Sequence, residues 1–126
     1  MALLGTGVGA NYNPKKLSKL AEYCNSDIHL FRALCDAEYL SIINNHNKFM
    51  PYDFALEMKW FATCYDHARA WGDLFYPNKD YKIIRIKISE KTLDYLYFDK
   101  MLDNIGSAYA GDIVLLNSIV QEVKLI

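Results

Sequence analysis

The arginine and histidine side chains of this chain could together bind and cleave a phosphate ester. A metal-independent ribonuclease needs a general base, a general acid and a cation close to one phosphate group. The residues of these types that we consider are His29, His67, Arg32 and Arg85. Their spacing does not require them to meet in the fold, so a small ribonuclease is one of several hypotheses.

The sequence contains none of the short motifs that mark common catalytic and metal sites. It has no GxSxG turn, no HExxH motif and no EF-hand loop. The string GTGVG at residues 5–9 lacks both the preceding strand and the following Lys of a phosphate-binding loop. The three cysteines, Cys24, Cys35 and Cys64, form no CxxC pair and have no zinc-type spacing to histidine. We therefore expect no metal site, and a reducing working environment.

The composition is that of an ordinary globular domain with almost no net charge. Of the 126 residues, 52% are hydrophobic and 23% charged, and the formal net charge is -1. This length suits one domain. Near-neutral charge argues against an extensive nucleic-acid-binding surface. No stretch reaches the roughly 18 apolar residues of a membrane-spanning helix.

Hydropathy patterning predicts an α+β domain in which short helices and strands alternate. Residues 1–13 predict a flexible lead-in, which would suit a domain cut from a longer polypeptide, and the domain itself is expected to span 14–126. The predicted helices are 14–24, 36–45, 66–75 and 90–102, and the predicted strands are 28–34, 59–63, 82–89, 112–119 and 120–126. Residues 49–58 fit either a helix or a loop, and Gly106 and Ser107 are expected to open a loop.

Tyrosine is the most unusual feature of the composition, with 10 residues in the chain. Its ring packs in a half-buried position while its hydroxyl group hydrogen-bonds, and it is also a good strand residue. The helical spacing predicts that Tyr39, Tyr95 and Tyr97 face the core.

Two segments share one arrangement, a strand that leads at once into a helix. In LFRALCDAEYLSII (residues 30–43) the strand carries Arg32, for which an ion pair with Asp36 or Glu38 is the structural alternative to a ligand-binding role. In KWFATCYDHARAWG (residues 59–72) the strand ends in the hydroxyl residue Thr63. The segments KIIRIKIS (82–89) and MLDNIGSAYAGDIVLL (101–116) follow.

Together these four segments resemble the ADP-ribosyltransferase superfamily, in particular the small toxin domains at the C-termini of bacterial polymorphic and contact-dependent toxins. The resemblance extends over residues 28–120. It implies an α+β fold of split mixed and antiparallel sheets with short flanking helices, and a cleft for NAD between two small sheets. Arg32 matches the arginine that holds a phosphate or ribose of NAD in this family, a task that suits the rigid fork of a guanidinium group.

The resemblance also implies the walls of the nicotinamide pocket. Phe61, Ala62 and Thr63 match the segment that supplies an aromatic wall and a hydroxyl group in this family. Tyr65 is a further stacking partner for the ring. Tyr109, expected in a neighbouring loop, could close the pocket.

The third motif of the family is usually a glutamate that stabilises the cationic ribose as nicotinamide leaves. This chain departs from that pattern, because the best match by place is Asp112, which is one methylene shorter. Glu122 is another late acid, but it falls in the predicted terminal strand. The catalytic set implied by the resemblance is therefore Arg32, Thr63 and Asp112.

The function that the resemblance implies is that of a metal-independent toxin or effector with NAD as its substrate. It would be a mono-ADP-ribosyltransferase acting on an unknown macromolecule, or an NAD glycohydrolase. It would act in the cytoplasm of a target cell, arrive as part of a larger secreted protein, and be neutralised by a cognate immunity protein. Two alternatives stay open: the ribonuclease with His29 or His67 beside Arg32 or Arg85, and a non-catalytic module whose tyrosine-rich surface binds a protein.

Overall fold

The computed structural model describes residues 26–51 and 58–126. The lead-in predicted at 1–13 and the helix predicted at 14–24 lie outside the described residues. Most of the 49–58 segment, which the sequence left open between helix and loop, lies outside them as well.

The described residues form strands and short helices that alternate along the chain. In order they are β1 (Asp27–Leu34), α1 (Asp36–Asn44), β2 (Met58–Ala62), α2 (Tyr65–Phe75), β3 (Lys82–Ser89), a 3-10 helix (Glu90–Tyr95), β4 (Tyr97–Leu102), β5 (Gly106–Asp112), α3 (Ile113–Ile119) and β6 (Glu122–Leu125). The strands predicted at 28–34, 59–63 and 82–89 are confirmed to within one residue.

The six strands form one antiparallel sheet in the order β4-β5-β2-β1-β3-β6. The expected α+β class is therefore confirmed, but the described strands form one antiparallel sheet rather than the two split sheets that the resemblance implies. β1 pairs with β3 along its whole length, from Asp27 opposite Ser89 to Leu34 opposite Lys82. In contrast, β1 and β2 share a single register pair, Phe31 opposite Ala62. The centre of the sheet is thus its most weakly paired place.

Helices cover both faces of the sheet, so the molecule has two apolar cores. On the α1/α3 face, alternate residues of β1 and β3 such as Leu30, Leu34 and Ile86 pack with Ile42 of α1 and Leu116 of α3. Each fully buried side chain of this size stabilises the fold by about 1.5–3 kcal/mol.

The α2 face has a smaller core. It consists of Ala62, Ala68, Trp71, Ile83 and Ala108, with partly buried aromatic residues around them. Small side chains on the strands leave more space beneath α2 than exists beneath α1 and α3.

The helix predicted at 90–102 is wrong beyond its first turns. The 3-10 helix ends at Tyr95, and residues 97–102 form β4, which pairs with β5. Asp103 and Asn104 have φ values of 55° and 59° in the connection, a left-handed conformation that short Asp and Asn side chains tolerate better than most. The hairpin therefore overrides the helical spacing.

Three further expectations near the C-terminus are wrong. Gly106 and Ser107 begin β5 rather than a loop, and residues 113–119 form α3 rather than a strand. Tyr95 and Tyr97 are 69% exposed instead of facing the core. A short apolar run such as IVLL has no periodicity that separates a strand from a helix, and here the N-cap residue Asp112 selects the helix.

Candidate functional site

A cleft of about 340 Å³ opens beside α2 at the weakly paired join of β1 and β2, and residues from both faces of the sheet line it. This volume is at the lower end of the range found for small-molecule sites. Its lining combines aromatic residues with two charged ones: Phe31, Trp60, Phe61, Trp71, Phe75 and Tyr76, with Arg32 and Asp103. The cleft can therefore offer ring stacking and both signs of charge to a ligand.

Arg32 lies at the join itself and is fixed by three hydrogen bonds. Its Nε and Nη2 donate to Oε2 and Oε1 of Glu38 at 2.8 and 3.0 Å, which is a bidentate ion pair. Its Nη1 donates to the main-chain oxygen of Trp60 on β2 at 3.1 Å. The guanidinium group also lies 6.0 Å from the ring centre of Phe61. The predicted ion pair with Glu38 is thus confirmed, and Arg32 is at the same time part of the cleft lining.

Glu38 joins three elements through its carboxylate. It stands in the first turn of α1 and receives Arg32 from β1, and Nζ of Lys59 on β2 lies 3.5 Å from its Oε2. Burial alone would raise the pKa of Glu38, but the hydrogen bond and charge of Arg32, together with those of Lys59, hold the pKa below its ordinary value. The carboxylate therefore stays ionised at neutral pH.

Tyr76 directly follows α2 and lines the cleft together with Arg32. Burial and the nearby Cys35 raise the pKa of its hydroxyl group, while the positive charge of Arg32 opposes that rise. The neutral phenol is thus a hydrogen-bonding group close to the guanidinium.

Asp103 supplies the negative charge of the cleft. It sits in the connection between β4 and β5, where its Oδ2 accepts a hydrogen bond of 2.9 Å from Nε1 of the buried Trp71. Among the described residues that line the cleft, it is the one acid. Our sequence reasoning gave it no role, although it lies in the segment MLDNIGSAYA that carries part of the resemblance.

The structure does not bring the three expected catalytic residues together. Thr63 lies at one end of the β2–β5 pair, where its Oγ1 is 2.9 Å from Oγ of Ser107. Asp112 lies at the other end, opposite Met58, so about five residues at 3.3 Å each, or about 17 Å, separate it from Thr63. Oδ1 of Asp112 accepts from the amide of Leu115 at 2.8 Å and caps α3. Asp112 therefore has a structural task away from the cleft.

The expected pocket residues also separate into two groups. Phe61 and Ala62 line the cleft, and the ring of Tyr65 contacts Phe31 edge-on at 6.4 Å. Tyr109 instead belongs to the core of the α1/α3 face, where it is 5% exposed and packs against Phe98 at 4.8 Å. It lies within β5 and not in a loop, so it does not close the cleft.

Tyr65 belongs in addition to a second, more open depression beside α2. There its hydroxyl oxygen accepts from Nη1 of Arg69 at 3.5 Å, and Tyr81 accepts from Nε of the same residue at 3.0 Å. Because Arg69 donates these hydrogen bonds to Tyr65 and Tyr81, its pKa is raised. The two tyrosines mainly fix this surface arginine.

The histidines do not join Arg32 in the cleft. His29 is exposed on β1, and neither it nor His67 is among the residues that line the cleft. His67 packs edge-on to Trp71 at 6.4 Å, and its buried Nδ1 has no hydrogen-bond partner among the described residues. Its ring lies against Gly106, where a Cβ atom would collide with it. The geometry therefore gives no support to a ribonuclease site built on Arg32. Arg85 lies on β3 opposite Phe31, two residues from the partner of His29, and it is not among the residues that line the cleft.

Neither a metal-binding cluster nor a membrane-spanning helix is found in the described part of the chain. Within residues 26–51 and 58–126, no group of three or more His, Cys, Asp and Glu side chains is placed to hold a metal ion. No helix in the same part of the chain is both long and apolar enough to span a membrane. Comparisons of the chain with protein-family models, curated proteins and solved structures gave no significant match.

Proposed function

We propose that this chain binds NAD in the cleft over β1 and β2 and cleaves the bond between nicotinamide and ribose. The observation that carries the proposal is the fixed guanidinium group of Arg32 at the edge of an aromatic cleft. The ADP-ribose would pass to a macromolecule or to water. The resemblance of residues 28–120 to ADP-ribosyltransferase toxin domains supports the same reaction.

The lining of the cleft suits a dinucleotide. A guanidinium group recognises phosphate oxygens through paired N–H groups, and Arg32 supplies them. The rings of Trp60, Trp71 and Tyr76 offer flat apolar surfaces to an adenine or nicotinamide ring. One phosphate-binding cation with aromatic walls fits a small nucleotide better than a long polyanion.

In this proposal Asp103, rather than Asp112, is the carboxylate that stabilises the cationic ribose. When the glycosidic bond breaks, its electron pair leaves with nicotinamide and the ribose becomes cationic. A carboxylate beside the ribose stabilises that charge in the transition state more than in the bound substrate, which accelerates the step. An acceptor hydroxyl group or water then forms the new bond and releases a proton.

The wider role that we propose is that of a toxin or effector domain. It would act in the cytoplasm of a target cell and be held inactive by an immunity protein at the cleft. This part rests on the resemblance alone, and the acceptor of the ADP-ribose is open.

The direct test is release of nicotinamide from NAD, measured by liquid chromatography with and without cell lysate. We expect turnover by the unmodified protein and a loss of about 100-fold or more in Asp103→Asn, which removes the charge facing the ribose. Asp112→Asn is the matched control, because it makes the same change at the far end of the β2–β5 pair and an asparagine still caps α3. We expect it to retain activity within about twofold.

Absence of turnover in both conditions, together with absence of NAD binding by calorimetry, would show the proposed function to be wrong. Loss of activity in Asp112→Asn but not in Asp103→Asn would instead return the acidic role to Asp112.

A protein-binding module is the second candidate, and the outer edge of the sheet favours it. Among the strands of residues 26–51 and 58–126, β4 lies at one edge of the sheet, and it exposes Tyr97, Phe98 and Met101 by 69%, 49% and 54%. Edge strands of this kind accept a strand from another protein. Host cells would tolerate expression of such a module, whereas expression of an active NAD-consuming toxin would select for inactivating mutations.

A further inference from the structure

We propose that Glu38, held in turn by Lys59, is the positioning residue that presents Arg32 to a phosphate group in the cleft. This inference rests on the proposed nucleotide site.

The guanidinium group keeps donors for a ligand after its protein contacts are made. Arginine has five N–H donors. Three of them are used, two by Glu38 and one by the main-chain oxygen of Trp60. Each terminal nitrogen therefore retains one N–H without an acceptor among the described residues, in a side chain that is 18% exposed and lines the cleft. These two N–H groups, one on each terminal nitrogen, can donate to the oxygens of a phosphate group.

The Glu38 carboxylate fixes the plane of that fork. Because it binds Nε and Nη2 at once, the guanidinium plane cannot rotate about the Cδ–Nε bond without breaking a hydrogen bond. Lys59, which is 2% exposed, contacts the same carboxylate from β2 and keeps it in place. An arginine without this support would have to order its long side chain each time a ligand binds, and that ordering lowers affinity.

The carboxylate comes from α1, while the two cations come from β1 and β2. The pairing of β1 with β2 is limited to one register pair, so the Lys59–Glu38–Arg32 cluster is a main link between these strands beside the cleft. The position of the fork over the join is thus determined by side chains rather than by a continuous strand ladder.

The experiment compares two variants that remove one negative charge each from the first turn of α1. Glu38→Gln releases Arg32, whereas Asp36→Asn breaks only the outward ion pair with Lys82, whose Nζ lies 3.2 Å from Oδ1. The probe is ADP, followed by calorimetry. We expect Glu38→Gln to weaken ADP binding by about tenfold, as loss of a charge-assisted hydrogen bond does, and Asp36→Asn to stay within about twofold.

Arg32→Lys provides a second arm in case Glu38→Gln unfolds the protein, which circular dichroism would detect. It keeps the positive charge beside Glu38 but lacks the fork, and we expect it to weaken ADP binding at least as much as Glu38→Gln. The KM for NAD should rise in both variants by a larger factor than kcat falls, a pattern that a general loss of stability does not produce.

Equal ADP affinity in the unmodified protein and Glu38→Gln would overturn the inference, as would an equal loss in Asp36→Asn. No ADP binding by the unmodified protein would overturn it as well. The outcomes separate it from the proposed function: NAD turnover that is unaffected by Glu38→Gln leaves the function and removes the inference. ADP binding that depends on Glu38 without NAD turnover does the reverse.

Discussion

At the scale of single residues, the sequence predicted the position of one charged side chain of the cleft, Arg32, and not that of the other, Asp103. Arg32 was identified from its place on a strand, and the structure puts it at a cleft. Asp112 was identified from its place in the chain alone, and its carboxylate is used to cap a helix. Asp103 had no assigned role, because a hairpin turn brings it to the cleft and the hairpin itself was predicted as a helix. The position of a charged side chain could therefore be predicted at Arg32, whose strand was predicted correctly, and not at Asp103.

Glu38 leads to a prediction about pH at this scale. The pKa of its carboxyl group is lower in the folded protein than its ordinary value near 4.5. It therefore contributes stability that is present above that ordinary value and is lost as the pH falls through the lower, folded value. We expect the free energy of unfolding to decline from about pH 5 downwards, and to decline less steeply in Glu38→Gln. Urea denaturation at a series of pH values measures both slopes, and identical slopes would contradict the assignment.

At the scale of elements, strands with strict alternation were predictable and short apolar runs were not. KIIRIKIS alternates from Ile84 to Ser89, and β3 spans all eight residues of this segment. Residues 93, 96, 97 and 101 have helical spacing, but residues 97–102 pair with β5 in a hairpin. The local sign of this hairpin is the Asp103–Asn104 turn, which the helical spacing before it outweighed in the prediction.

The N-cap of helix α3 can be tested by substitution. It has seven residues, so its first turn is a large part of it, and Asp112 satisfies one of the amide groups there. We expect Asp112→Ala to lower the free energy of unfolding by about 1 kcal/mol and Asp112→Asn to lower it by much less. Chemical denaturation followed by circular dichroism distinguishes them. Equal losses in the two variants would show that the cap is not what stabilises α3.

At the scale of the whole molecule, the larger core and the candidate cleft are largely separate parts of the fold. The larger core lies on the α1/α3 face, whereas the cleft opens beside α2 and reaches that core at Phe61. Composition and alternation predicted an α+β domain. They could not predict which face would be filled, since that depends on which helices cross it.

The separation of the larger core from the cleft can be tested with one substitution in each. Ile86→Ala empties space in the α1/α3 core, and we expect it to cost about 2–5 kcal/mol of unfolding free energy. Phe75 lines the cleft but is 58% exposed, so Phe75→Ala should cost less than about 1 kcal/mol while weakening ADP binding. Denaturation and calorimetry on both variants give the comparison. A large stability loss in Phe75→Ala with unchanged ADP binding would contradict this division.

The single register pair between β1 and β2 has one more consequence. Inside a regular ladder the main-chain amide and carbonyl groups of both strands are used up by each other. Along the join of β1 and β2 these amide and carbonyl groups need other partners. The carbonyl oxygen of Trp60 already accepts a hydrogen bond from Nη1 of Arg32. Main-chain atoms are the same whatever the side chain, so substitutions along the join leave these polar groups in place. Recognition at this join would therefore combine main-chain atoms, which no substitution removes, with the fork of Arg32, which depends on the side chains of Glu38 and Lys59.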